Sequence, residues 1–154
     1  MQRAIVGFSQ DTADDWVADL DCGHCQRVRD ACVDSDWVTT ALGRQEQLGV
    51  LFDCPRCDRF ELPAHFAPYK QTPVFTAATV PAGLRRDHST RRGVWARIVV
   101  LEGTLRYTVD ALKTHFNLSS TVSGVVIPEV LHRVDPQGAV RFYVEFYAAP
   151  SRAA

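Results

Sequence analysis

The sequence predicts a mainly β protein in two parts, a small α+β module over residues 1–62 and an all-β domain over residues 63–154. Three observations carry this prediction. Two Cys-x-x-C pairs, Cys22-Gly-His-Cys25 and Cys54-Pro-Arg-Cys57, fall in the first part, which has too little apolar sequence for a robust core of its own. The second part consists of short β-branched and aromatic runs separated by turn residues. Between them the stretch ELPAHFAPYKQTP, residues 61–73, carries three prolines and divides the cysteines from the β pattern.

Each element has a local reason. RAIVGF and DWVADL alternate polar and apolar residues around a turn-rich link from Gln10 to Asp15, the pattern of a β-hairpin that leads directly into Cys22. From Thr39 or Thr40 to about Leu48, the run ALGRQEQL lacks proline and β-branched residues, follows a threonine cap and meets Gly49, so one short helix fits there. Beyond the boundary, VWARIVVLEG, TLRYTV, GVVIPEV, LHRV and AVRFYVEFY read as separate strands divided by Glu-Gly, Pro and Pro-Gln-Gly turns. Such runs suit a β-sandwich or a small barrel, which covers or closes its sheet edges.

The cysteines carry the strongest chemistry. A Cys-x-x-C turn presents two sulfurs on one side of a tight knuckle, and two knuckles supply the four soft ligands of tetrahedral zinc. Cys22, Cys25, Cys54 and Cys57 are therefore candidate ligands of a structural zinc, in a zinc-ribbon-like module whose folding the metal supports. His24 lies inside the first knuckle and offers a three-sulfur, one-nitrogen shell instead. The spacing ranks Cys25 above His24 and leaves His24 open. Cys32 stands outside the pattern as a small, partly buried residue. Thiol redox chemistry is disfavoured, because an isolated Cys-x-x-C at a helix start in a βαβ context is absent.

Composition and charge narrow the role. With 46% hydrophobic residues, the 154-residue chain can bury a core without a membrane. The opening MQRAIVGFSQDTADDW has no signal-like apolar run, and no segment reaches the roughly 18 apolar residues of a membrane span. Cytoplasmic residence, reduced thiols and no membrane partner are expected. The net charge of −1 conceals 12 Asp/Glu against 6 Lys/Arg in residues 1–62, and 6 against 11 in residues 63–154. An acidic module argues against a nucleic-acid partner.

The stretch RAIVGFSQDTADDWVADLDCGHCQRVRD, followed by DSDWVTT and CPRCD, resembles a small bacterial domain family of unknown function whose members share a C-G-H-x-Q-x-V-R stretch and a later C-x-x-C. That resemblance covers roughly residues 2–60 and favours Cys22, His24, Cys54 and Cys57 as the ligand set. Residues 69–147, from YKQTPVFTAATVPAGLRRDHSTRRGVWARIVVLEGTLRYTV through VIPEVLHRVDPQGAVRFYVEFY, resemble the TehB/YeaR-like cupin family associated with tellurite resistance. This second resemblance implies a double-stranded β-helix barrel holding a divalent metal, zinc, iron or manganese, near its mouth. His88, His132 and Glu145 are the matching positions, with Glu129 as the substitute carboxylate.

Two imidazoles and a carboxylate would leave open positions on such a metal. The basic residues Arg85, Arg86, Arg91 and Arg92 around His88 would then recruit a small anionic ligand. The expected function is a metal-binding cupin that binds or transforms a small oxyanion or oxidant under stress, as a possible homodimer. The alternative is a non-catalytic sensor or adaptor whose zinc module binds a protein. Methyl transfer is set aside, because no G-x-G-x-x-G loop or βαβ pattern is present to hold S-adenosylmethionine.

Overall fold

The structure, a computed structural model, describes residues 1–150. The chain divides into two compact units, Met1–Pro63 and Ala64–Ala154. In the first, β1 (Gln2–Gln10) and β2 (Trp16–Leu20) form the expected hairpin, followed by β3 (Cys25–Arg27) and a short helix α1 (Val28–Ala31). A 3-10 turn, Asp36–Thr39, precedes α2 (Ala41–Glu46). Thr40 caps α2, its hydroxyl accepting from the Gly43 amide at 3.0 Å. The unit closes with β4 (Leu51–Asp53) and α3 (Pro55–Asp58). Its antiparallel sheet has the order β3-β2-β1-β4, which places the two segments that run into the cysteine knuckles on either side of β1. The core is small: Ile5, Leu20, Val28, Val38 and Phe52 are its buried aliphatic and aromatic side chains beside Val17 and Ala18.

The second unit contains β5 (Ala67–Gln71), β6 (Phe75–Thr76), β7 (Trp95–Val109), β8 (Thr114–Leu118), β9 (Gly124–Val126) and β10 (Arg133–Ala148). All pair antiparallel, in the order β5-β10-β7-β8, with β6 also on β10 and β9 also on β7. The sequence pattern divides this unit too finely. Glu102-Gly103 does not end a strand, nor does Pro136-Gln137-Gly138; both lie at irregularities inside the long strands β7 and β10.

The register shows why. Phe142 faces Val100 but Arg141 faces Glu102, so β7 carries one extra residue there. Accordingly its buried positions change from even (Ala96, Ile98, Val100) to odd (Leu105, Tyr107, Val109), the inversion a β-bulge imposes. Trp95, Ile98, Leu105, Tyr107, Leu118 and Phe142 are fully buried around this frame. No helix among the described residues is long and apolar enough to cross a membrane.

Candidate metal centre and ligand cavity

The first knuckle is built by the end of β2. The Gly23 amide donates to Leu20 O at 2.9 Å and the Leu20 amide to His24 O at 3.0 Å, with Gly23 at φ +93°, a turn glycine suits. The second is built by the start of α3, where Cys54 is the N-cap and Pro55 opens the helix. Pairing of Arg3 with Phe52 and of Ala4 with Leu51 brings the two knuckles together.

Cys22, His24, Cys54 and Cys57 are all buried, and their ligand atoms lie within 4.8 Å of one another. Cys22 Sγ is 3.8 Å from Cys54 Sγ, and His24 Nδ1 is 3.5, 3.3 and 3.7 Å from the sulfurs of Cys22, Cys54 and Cys57. A tetrahedron with metal–sulfur bonds of about 2.3 Å has edges of roughly 3.8 Å, slightly less where nitrogen replaces sulfur. The donor set therefore fits a four-coordinate metal. His24 Nε2–H donates to Glu61 O at 2.7 Å, which fixes the ring and leaves Nδ1 as the donor atom.

Electrostatics fit the same purpose. Hydrogen bonds from Cys22 and Cys57 hold the Cys54 thiol far below its ordinary range, and the same contact raises Cys22. Burial opposes a charged His24, but its bonds to Cys54 and Cys57 outweigh that and raise it to about 9. Protons are shared among four buried donors, and a divalent cation displaces such protons when it binds.

Cys25, which the spacing ranked above His24, lies outside this group. It is the first residue of β3, paired with Asp19 of β2, and strand geometry turns its side chain outward. Its thiol donates to Asp19 Oδ1 at 3.4 Å and is pushed up to about 11 by partial burial of the sulfur and by that carboxylate. Cys32 is half-buried and apart.

In the second unit the structure brings His88 and His132 together. Their backbones form an isolated bridge, each amide donating to the other's carbonyl at 3.0 and 2.9 Å, and their rings lie 4.1 Å apart. His88 Nδ1 is 2.9 Å from Arg86 O and His132 Nδ1 is 3.1 Å from Val130 O, so each ring donates through Nδ1 and keeps Nε2 open. Both rings line a cavity of about 410 Å³ whose walls include Phe75, Ile98, Val126, Phe142, Val144 and Phe146.

Glu145 does not join them. Strand alternation sends Phe142, Val144 and Phe146 into the cavity and Glu145 to the other face, opposite Arg97, where it accepts from the Tyr147 hydroxyl. Glu129 is exposed, has φ +63° and does not line the cavity. Among the described residues, no third donor joins the two imidazoles in a metal-sized group.

Of the four arginines, only Arg91 lines the cavity. Arg85 pairs with Asp135 at 3.0 Å, and Arg86 and Arg92 are exposed away from the lining. Sequence reasoning missed Lys70, which also lines the cavity from β5; the proline-flanked segment gave no clear strand signal.

Burial pushes the His132 imidazole down to about 4; its bond to Val130 O works the other way and the nearby His88 adds to the lowering. The folded state therefore holds His132 neutral where the unfolded chain takes up a proton, near 6.5 and below. The corresponding stability is present above pH 6.5 and is lost as pH falls through about 4. Urea unfolding between pH 7 and 4 is expected to show a smaller acid loss in His132→Asn than in the wild type; identical slopes would contradict the assignment.

Fold and sites together define a two-unit β protein with a Cys3His metal-capable centre in one unit and an imidazole-walled cavity in the other. Residues 70–144 match the family model described as TehB-like domain, and residues 6–61 match the one described as protein of unknown function (DUF3565). The chain is 31% identical over 72 residues to the probable S-adenosyl-L-methionine-dependent methyltransferase TehB of Haemophilus influenzae, a match covering 44% of this chain and 25% of that protein. The protein of the same name from a second strain, 10810, is 29% identical over 72 residues, with the same coverage.

The chain thus spans about a quarter of the length of the curated relatives it matches. Among solved structures, TehB from H. influenzae aligns with a TM-score of 0.51 at 25% identity, over 56% of this chain and 32% of that one. A crystal structure of a protein from E. coli strain K12 aligns with a TM-score of 0.56 over 61% of this chain and 92% of the other; at 24% identity this likeness concerns the fold.

These findings overturn the expected function. A cupin with no part in methyl transfer was expected because the sequence lacks a glycine-rich nucleotide loop, yet the relatives sharing the second unit's sequence are methyltransferases by name. A missing loop speaks only for the residues in hand, whereas the shared stretch is a quarter of a longer enzyme. The stand-alone oxyanion chemistry and the adaptor alternative fall with it.

Proposed function

We propose that the chain serves methyl transfer by holding the methyl acceptor, in the cavity where His88 and His132 meet. The observation that carries this reading is the cavity itself: about 410 Å³, within the range of small-molecule sites, with apolar walls and two imidazoles fixed by backbone carbonyls. Similarity to TehB supplies the reaction class. The finer architecture in this proposal is a double-stranded β-helix barrel around the cavity, with a structural zinc on Cys22, His24, Cys54 and Cys57 in the first unit.

The residues present do not fit the methyl donor. S-adenosylmethionine is usually held by a glycine-rich turn between a parallel strand and a helix, and every strand pair of the second unit among the described residues is antiparallel. No donor-side step is assigned to this chain. What its own residues supply is desolvation of the acceptor by the aromatic walls and a neutral imidazole acceptor at His132 Nε2.

A chimera tests the reading. Residues 64–150 replace the matching segment of H. influenzae TehB, and label transfer from radioactive S-adenosylmethionine into a protein-free bacterial extract is measured. The chimera is expected to keep transfer, and His132→Ala within it to lower transfer by about tenfold or more. Equal transfer by a TehB from which the segment has been deleted would sink the proposal.

A further inference from the structure

Most of the cavity's lining is aliphatic and aromatic, and the buried polar residue in it is His132, 4% exposed. Because His132 Nδ1 donates to Val130 O, the atom it leaves open, Nε2, is a hydrogen-bond acceptor. Lys70 and Arg91 are exposed residues of the same lining, and neither makes an ion pair with another described residue. Other cations close by are occupied: Arg85 by Asp135, and Arg133 by Asp87 and Asp110. No carboxylate lines the cavity.

From this arrangement we infer that the cavity takes an organic acid with an apolar ring or chain, its hydroxyl directed to His132 Nε2 and its carboxylate to Lys70 and Arg91. The inference rests on the cavity being the acceptor site and names the class of acceptor. An inorganic oxoanion does not suit it, because apolar walls would strip its water and give back few hydrogen bonds. A cationic ligand meets two positive charges of the lining, Lys70 and Arg91, that no carboxylate of the lining offsets.

Isothermal titration of the full chain at low ionic strength tests this with four probes: para-hydroxyphenylpropionate, phenylpropionate, para-hydroxyphenylpropanol and phenylpropylamine. The hydroxy acid is expected to bind most tightly, with about tenfold loss for removing either the hydroxyl or the carboxylate. In Lys70→Met/Arg91→Met the carboxylate preference should vanish while the hydroxyl preference remains; in His132→Gln the reverse should hold. The first pair is exposed, so its result stands even if His132→Gln folds poorly. Equal or tighter binding of the alcohol or the amine, persistence of the acid preference in the double variant, or no binding of any probe overturns the inference. The TehB chimera reports separately on methyl transfer, so an acceptor of another class would fail the titration and still pass that assay.

Discussion

Cys57→Ser is expected to release the proposed zinc and unfold residues 1–63, whereas Cys25→Ser is expected to do neither. The two residues sit in equivalent Cys-x-x-C positions, yet only one sulfur is buried among the donors. With so few buried apolar side chains, the first unit lacks the core that would keep it folded without the metal. Structural zinc contributes about 10–16 kcal/mol of apparent binding energy in small modules, which exceeds the whole stability of most domains. Losing one of four ligands, and leaving His24 and two thiols buried and unneutralised, removes much of that. Cys25→Ser alters one exposed thiol and should fall within about 0.5 kcal/mol of the wild type. Elemental analysis beside amide exchange of the first unit checks both. Retained zinc and protected amides in Cys57→Ser would end the metal account; equal damage in the two variants would put Cys25 back among the ligands.

That pair of variants also marks where the sequence is readable. Spacing pointed to the two knuckles as one metal-capable group, and the structure gathers donors from both, because a Cys-x-x-C turn constrains its own geometry. It could not choose between His24 and Cys25, because the choice depends on β3 pairing with β2, a tertiary register that turns Cys25 outward. The hairpin and α2 were legible from alternation and from Thr40. In β10 strand alternation sets the face of Phe142, Val144 and Phe146 apart from that of Glu145, and the cavity follows the former, so the resemblance that named Glu145 as a ligand position is not matched by the strand's register. The long strands were not legible as single elements, since a bulge and a turn carry the same glycine-rich signal. Nor did the arginine-rich stretch reveal which cation faces inward; Arg91 lines the cavity and Arg85 lies on Asp135 only because of how 84–94 folds against β10.

Gly103→Ala is expected to be among the most damaging single substitutions in the second unit. Gly103 has φ +79°, and a Cβ built there would lie 2.0 Å from the Ala139 carbonyl oxygen, a backbone atom with no freedom to swing aside. Left-handed backbone alone costs an alanine about 1–2 kcal/mol; the clash adds displacement of β10 from β7, for a total on the order of 4 kcal/mol. A domain of this size should then melt roughly 15 °C or more lower. Gly138 provides the internal control, since it has φ +87° in the facing irregularity but nothing within 4 Å of its built Cβ. Gly138→Ala should cost only the conformational share. The difference matters for the cavity because the irregularity between Val100 and Glu102 inverts which residues of β7 face inward, placing Ala96 and Ile98 in its wall. Calorimetry of the two variants decides: if Gly103→Ala melts no lower than Gly138→Ala, close approach of β10 is not what requires glycine at this position.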